Sequence, residues 1–465
     1  MISRFISEFW DKNALPSLMD FIRIPAKSTA FDPEWEEHGL LRQTCELVSN
    51  WIQKNIPDAK CEILQEKGKT PCLFVEILSK NESSNDTTVA FYGHFDRQPE
   101  ASGWFEGLGP WNPAIRNGKL YGRGASDDGY SVYMMIAAIM ALRHHNIDHP
   151  RCVGIFETQE ESGSKDLPYY LKTLKNRFQN PTSLFVLDSH CGDYDRVWLS
   201  ASLRGVLSGI LTVNTLDYGV HSGTYSGMVP DAFGIAQSLV ARLHDPITGE
   251  IKIDACHTTI PEIRRQQLIE ASEVLGDLVW NHSPLLPGVT TKKSNNADIM
   301  LDMTWKPALT VIGMEGLPTI ANAGNVVTKG VKFALSMRIP PNIDTEKATQ
   351  AIEEILTSET PYGAHVQWSD VNILPGWAMT AANPKNEHLI DQASQKVFGQ
   401  KAVFTGQGGS ISFIGEFEAN FPDTTIVLTG VLGPESNAHA PNESMDIEYT
   451  KRLTEVVSEY LKSVL

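Results

Sequence analysis

Cys152-Val153-Gly154-Ile155-Phe156, followed after two residues by Gln159-Glu160-Glu161-Ser162-Gly163-Ser164, is the stretch on which the reading of this chain turns. The apolar run reads as a buried strand. Ser162 and Gly163 break it before a helix. Neighbours within a regular strand point to opposite faces, so two adjacent carboxylates there could not share a task. At a strand end both can turn toward one site. One could then bind a metal while the other takes a proton from activated water. Taken alone, the pair also reads as a solvated acidic turn.

Working outward, Thr87 to Tyr92 reads as a second strand, running into Gly93-His94-Phe95-Asp96. Cys72 to Leu78 is a third and 184–187 a fourth. A Gly-rich turn, Leu120 to Gly129, carries Asp127 and Asp128 into a helix that is apolar all round, 130–143. Residues 1–60 read as helices broken at Pro25 and Pro33, and 166–176 as a further helix. Helix 386–397, strand 425–429 and helix 447–463 close the chain. Strands alternating with helices predict an α/β sheet with parallel strands.

The pattern changes at Leu203-Arg204-Gly205. Strands 206–216, 309–313, 331–339 and 364–373, with helices 231–243 and 344–357, read as a βαββαβ-like unit. The stretch 246–307, with four prolines, reads as irregular. Pro375-Gly376 reads as the return linker. The expected organisation is a discontinuous domain, 1–203 and 379–465, with an α+β domain, 204–378, inserted in it.

The 465 residues carry 39 basic and 56 acidic side chains, a net charge of −17. That excludes a basic surface for nucleic acid or an anionic membrane. No run is apolar enough to span a bilayer, and the amphipathic N-terminus does not resemble a signal peptide. Six scattered cysteines without a Cys-x-x-Cys pair suit free thiols and a cytoplasmic location.

The acidic residues and histidines gather at strand ends: His94, Asp96, Asp127, Asp128, Glu160, Glu161, Asp188 and His439. Ligands of open α/β sheets bind outside the carboxyl ends of the strands. Imidazoles with carboxylates suit zinc, or cobalt or manganese. Any one of these residues alone reads as structural.

Six segments then carry a family resemblance. They are Tyr92-Gly93-His94-Phe95-Asp96-Arg97-Gln98-Pro99, Tyr121 to Asp128, Glu160 to Ser164, His221-Ser222-Gly223, Gly408-Gly409-Ser410-Ile411 and His439-Ala440-Pro441-Asn442-Glu443. In this order they resemble the M20 metallopeptidases, in their cytosolic non-specific dipeptidase and carnosinase-like branch. The resemblance implies a zinc-exopeptidase-like α/β catalytic domain with an inserted lid and dimerisation domain.

It also implies two divalent ions, with Zn²⁺ foremost and Mn²⁺ or Co²⁺ as alternatives. His94 and Asp188 would bind one, Glu161 and His439 the other, with Asp127 bridging. Asp96 would hold the far nitrogen of His94. Glu160 would be the general base, and His221 an oxyanion donor reaching a partner subunit's site in a homodimer. Asn325, Arg338, Gly409 and Ser410 would bind the substrate's oxyanion or carboxylate, Arg338 as a bidentate partner.

Two positions depart from the family pattern. Gly129-Tyr130 stands where relatives carry Lys-Gly. Gln407 stands where dipeptidase relatives carry an acid, and a neutral amide pairs less well with a free α-ammonium. The expected function is hydrolysis of small amide bonds by a dipeptidase or carboxypeptidase-type enzyme acting on small peptides. An N-acyl amino-acid deacylase with the same site is the alternative. A silent ligand-binding dimer is a third reading, and it predicts a damaged ligand set.

Overall fold

The computed structural model of the chain describes residues 1–379 and 384–465. At its centre six strands lie in the order Lys60–Leu64, Cys72–Ile77, Arg151–Glu157, Thr88–His94, Ser183–Val186 and Thr425–Leu428. The last four run parallel, and the first two add on antiparallel. Successive side chains alternate between faces. Val89 and Phe91 therefore join one core with Leu73 and Val75, while Ala90 and Tyr92 join another with Phe74 and Ile155. Both faces being covered, the central strands are mostly apolar, whereas the edge strand Lys60–Leu64 carries exposed Lys60 and Glu62.

The helix Tyr130–His144 is buried on nearly every face because it lies between this sheet and the C-terminal helix Ile447–Ser463. Ser458 of that helix donates to the Ala138 carbonyl at 3.3 Å. The first helix returns to the same place: Trp10 Nε1 donates to Thr454 Oγ1 at 3.0 Å.

A second sheet orders Ala308–Glu315, Gly330–Ile339, Gly205–Asn214 and His365–Leu374, all antiparallel. One face packs on the helices Ala232–Leu243 and Thr345–Thr357 and forms a separate core around Leu211, Leu239, Phe333 and Ile352. The chain is a mixed α/β body carrying this α+β unit.

The segment 246–307, expected to be irregular, holds two helices, Glu262–Leu275 and Asn296–Trp305. Leu268, Ala271, Met300, Leu301 and Trp305 pack into the core of the body, not that of the second sheet. Their apolar positions are too sparse to announce a helix from local periodicity. The burial that stabilises them is supplied by the strand Val403–Gln407, about a hundred residues or more away.

The two links between body and second sheet run side by side. A β-carbon on Gly205 would lie 2.3 Å from the Leu374 carbonyl oxygen, and one on Gly376 would lie 2.8 Å from that of Leu203. Only glycine permits this approach.

Candidate metal centre

Parallel strands bring their carboxyl ends to one edge, and the charged residues of the sequence collect there. His94 ends the strand Thr88–His94, and Asp188 follows Ser183–Val186 by two residues. Glu160 and Glu161 open a short 3-10 turn, Glu160–Ser162, just beyond Arg151–Glu157. His439 comes from the loop between Thr425–Leu428 and Ser444–Asp446.

Asp127 lies in the middle. Its Oδ1 is 3.1 Å from His94 Nε2, and its Oδ2 is 2.9 Å from His439 Nε2. Asp188 Oδ2 stands 3.7 Å from His94 Nε2 on the first side. Glu161 Oε2 stands 3.3 Å from His439 Nε2 on the second. Two clusters result, His94–Asp127–Asp188 and Asp127–Glu161–His439, each with its ligand atoms within 4.8 Å of one another. They share one carboxylate and use one oxygen of it each.

Asp96 faces the far nitrogen of His94 and has a second task as well. His94 Nδ1 meets the Asp96 backbone carbonyl at 3.0 Å, while the Asp96 carboxylate is 3.5 Å away. That carboxylate accepts from the amides of Glu160, at 3.1 Å, and Glu161, at 3.0 Å. It thus holds the Glu-Glu turn against the His94 strand. Gly93 makes room beside it: the Asp128 carboxylate reaches the His94 amide at 3.3 Å, where a β-carbon on Gly93 would sit 2.6 Å from its Oδ2.

Crowding governs the electrostatics. Burial, then Asp127, pushes the Asp188 carboxyl up to about 6. Burial and the neighbouring Asp188 and Glu161 raise Glu160 well above the ordinary carboxylate range. Burial followed by Asp127 raises Glu161 in the same way. Burial alone would lower the His94 imidazole, but Asp127, Asp96 and Asp188 override it and hold it well above its usual value. Carboxylates outnumber cations in a poorly solvated cleft, which is costly unless a cation joins them. The donor set of two imidazoles and three carboxylates, open toward solvent at His439, fits two divalent ions.

Several supporting residues escaped the sequence reading. Gln98 Nε2 donates to Glu161 Oε2 at 2.6 Å. Glu443, fully buried, receives Arg123 Nη1 at 2.8 Å and the Gly124 amide at 2.9 Å, which fixes the turn leading to Asp127. Glu157 accepts from Tyr92, at 2.7 Å, and from Ser164, at 2.8 Å, behind the Glu-Glu turn. Gln98 and Glu443 stood inside quoted segments, but nothing local distinguished their partners.

The two departures also acquire contacts. A β-carbon on Gly129 would lie 2.5 Å from both the Gly124 carbonyl and the Phe21 ring, so no lysine fits there. Gln407 Nε2 donates to the hydroxyls of Ser189 and, at 2.7 Å, Ser200. Its amide nitrogen is occupied within the body.

The remaining candidates lie apart from the clusters. His221 is exposed on the strand Val220–His221, which pairs with Val326–Val327, and its nearest polar partner is Thr224 at 3.4 Å. Asn325 is exposed beside it and accepts the Ser222 amide at 2.8 Å. Arg338 Nη1 meets Ser410 Oγ at 3.3 Å, next to Gly409. Among the described residues, no hydrogen bond or ion pair links His221, Asn325 or Arg338 to the metal clusters.

Comparison with known proteins gives a consistent result. Residues 90–463 match Peptidase family M20/M25/M40. The cysteinylglycine-S-conjugate dipeptidase of Corynebacterium striatum is 24% identical over 456 residues, covering 94% of this chain and 98% of that protein. The Cys-Gly metallodipeptidase dug1 of Schizosaccharomyces pombe is 26% identical over 371 residues, 78% of this chain and 76% of its own length. Among solved structures, human carnosine dipeptidase 1 superposes with a TM-score of 0.79 at 21% identity, covering 100% of this chain and 98% of that one.

Proposed function

The chain belongs to peptidase family M20/M25/M40, and on that premise we propose that it is a dinuclear metal-dependent dipeptidase. The observation that carries this is the division of Asp127, one oxygen facing each cluster, with Glu160 beside them and outside both. His94 and Asp188 would hold one ion, Glu161 and His439 the other, and Asp127 both. Imidazole with carboxylate suits Zn²⁺ first, with Mn²⁺ or Co²⁺ as substitutes. Bound there, two such ions would supply a water of lowered pKa and Lewis acidity at the scissile carbonyl.

The chain's own residues complete the chemistry. Glu160, its backbone pinned by Asp96, accepts the proton of the attacking water and returns it to the leaving amine. Arg338, with Ser410 and the Gly409 backbone, receives the substrate's terminal carboxylate. His221 donates to the developing oxyanion in the site of a partner subunit, and Asn325 binds the substrate's oxyanion or carboxylate. We take 204–378 as the lid and dimerisation unit, with its helices Glu262–Leu275 and Asn296–Trp305 anchored in the body formed by 1–203 and 379–465. The edge strand Ala308–Glu315 supports a homodimer, since Ile312 is 65% and Met314 52% exposed beside unpaired backbone groups.

The deacylase reading is not favoured, because the relatives named above are dipeptidases. The silent reading lacks its expected damage, both ligand sets being complete. All six cysteines are free, which supports a reducing compartment such as the cytoplasm. Among the described residues, no helix is long and apolar enough to cross a membrane.

Glu160→Gln tests the assignment. It keeps the shape but cannot accept a proton, so kcat on a dipeptide panel should fall by about 10² or more with metal content near normal. Loss of metal instead would interchange Glu160 and Glu161. Faster turnover of N-acetylated amino acids than of dipeptides by the unaltered protein would reinstate the deacylase.

A further inference from the structure

Tyr130 stands where the family pattern has glycine, and the mechanism above does not use it. It opens the helix Tyr130–His144 and is completely buried. Its hydroxyl donates to the carbonyl of Leu187, the residue immediately before Asp188. That carbonyl occupies an unusual place. The segment that follows the strand Thr425–Leu428 satisfies the backbone just before it and two residues beyond: Val186 O accepts from the Thr429 amide at 3.0 Å and Ser189 O from the Leu432 amide at 3.2 Å. Gly430 lies between, so close that a β-carbon on it would be 2.2 Å from Ser189 O and 2.9 Å from Leu187 O. Among the described residues, no backbone amide reaches Leu187 O. Among the described residues, the carbonyls of Leu187 and Asp188 both go without a backbone donor where the chain turns toward the His94 side, and Leu187 O is the one that Tyr130 meets.

A buried carbonyl without a donor costs free energy, and a free peptide plane there would let Asp188 swing. The phenol supplies the missing donor from a helix fixed by the same turn that carries Asp127. It does so without adding charge beside Asp128 and Asp188. We infer that Tyr130 is a positioning residue: through the Leu187 carbonyl it sets the Asp188 carboxylate for the metal on the buried side of the centre. This rests on the dinuclear reading and adds the element that orients one of its ligands.

Tyr130→Phe removes the hydroxyl and keeps the ring packing. The two metal affinities of the purified protein are measured by competition with a chromophoric chelator, using Zn²⁺. Loss of an outer partner typically weakens a metal site by about 10- to 100-fold. That loss is expected at one site only, with the other as in the unaltered protein. Asp188→Asn identifies the buried-side site. In the double variant Tyr130→Phe/Asp188→Asn, affinity there should fall no further than in Asp188→Asn alone. Unaltered affinity at both sites in Tyr130→Phe, or fully additive losses in the double variant, would overturn the inference. A merely structural Tyr130 would lower the melting temperature of the metal-free protein and leave both affinities in place. Failure of the unaltered protein to bind two ions would instead refute the dinuclear reading.

Discussion

The His94 side chain has no exposed surface, whereas that of His439, the corresponding candidate ligand on the other side of Asp127, is 55% exposed. His94 ends a central strand, and its neighbour Asp188 follows another. His439 sits in a loop with a left-handed backbone, φ 62°, and Glu161 comes from a single 3-10 turn. One half of the centre is therefore built on rigid sheet and the other on loops held by side chains such as Gln98 and Asp96. The two halves offer similar donors, so the difference lies in preorganisation. A ligand already fixed by the sheet loses little freedom on binding, and one on a loop must be ordered. The buried side should hold its ion more tightly, and the open side should exchange it.

The largest test removes one imidazole from each half. His439→Ala should lose one ion and most activity while staying folded, because its side chain lies outside the core. His94→Ala should lose the tighter ion and lower stability as well, since it empties a fully buried position. Elemental analysis with thermal melting distinguishes these results. A His439→Ala protein that keeps two ions, or loses both, would break the comparison.

A smaller effect is expected from Gln98→Leu. The 2.6 Å hydrogen bond to Glu161 disappears, and open-side affinity should fall about 10- to 100-fold with the buried side unchanged. Two-site chelator competition reads both constants. Equal weakening of the two sites would mean that Gln98 acts on the centre as a whole.

The smallest effect is on stability. Burial pushes Glu157 and Glu443, both supports of the centre, from the ordinary 4.5 up to about 7 in the folded protein. Raised carboxyls bind protons more tightly folded than unfolded. Their favourable contribution is complete below about 4.5 and is lost as pH rises through about 7. The metal-free protein should therefore melt a few degrees lower at pH 8 than at pH 5.5. Melting in excess chelator checks this, and a rising or flat profile would remove these carboxyls from the account.

Much of the architecture was readable in advance because its signals are local. The strands 88–94, 151–157 and 183–186 announced themselves as short apolar runs, and the helix 447–463 by resuming the alternation of strand and helix. The helices 262–275 and 296–305 did not, since distant burial stabilises them. Short strands such as Trp198–Leu203 and Val403–Gln407 were missed for the same reason. Their pairing with each other spans some two hundred residues.

For the site, the residue types and their order could be read without any structure. Histidine and carboxylate at the ends of apolar runs are chemistry that needs no knowledge of contacts, and the parallel sheet then gathers them at one edge. What holds them emerges only from the folded chain. Asp96 spends its carboxylate on the amides of residues 160 and 161, and Tyr130 reaches a carbonyl 57 residues away. Gln407, which the sequence offered as a specificity residue, is tied to Ser189 and Ser200. A side chain's hydrogen-bond partner depends on which backbone groups the sheet leaves unpaired, and that is a property of the folded arrangement that no local pattern carries.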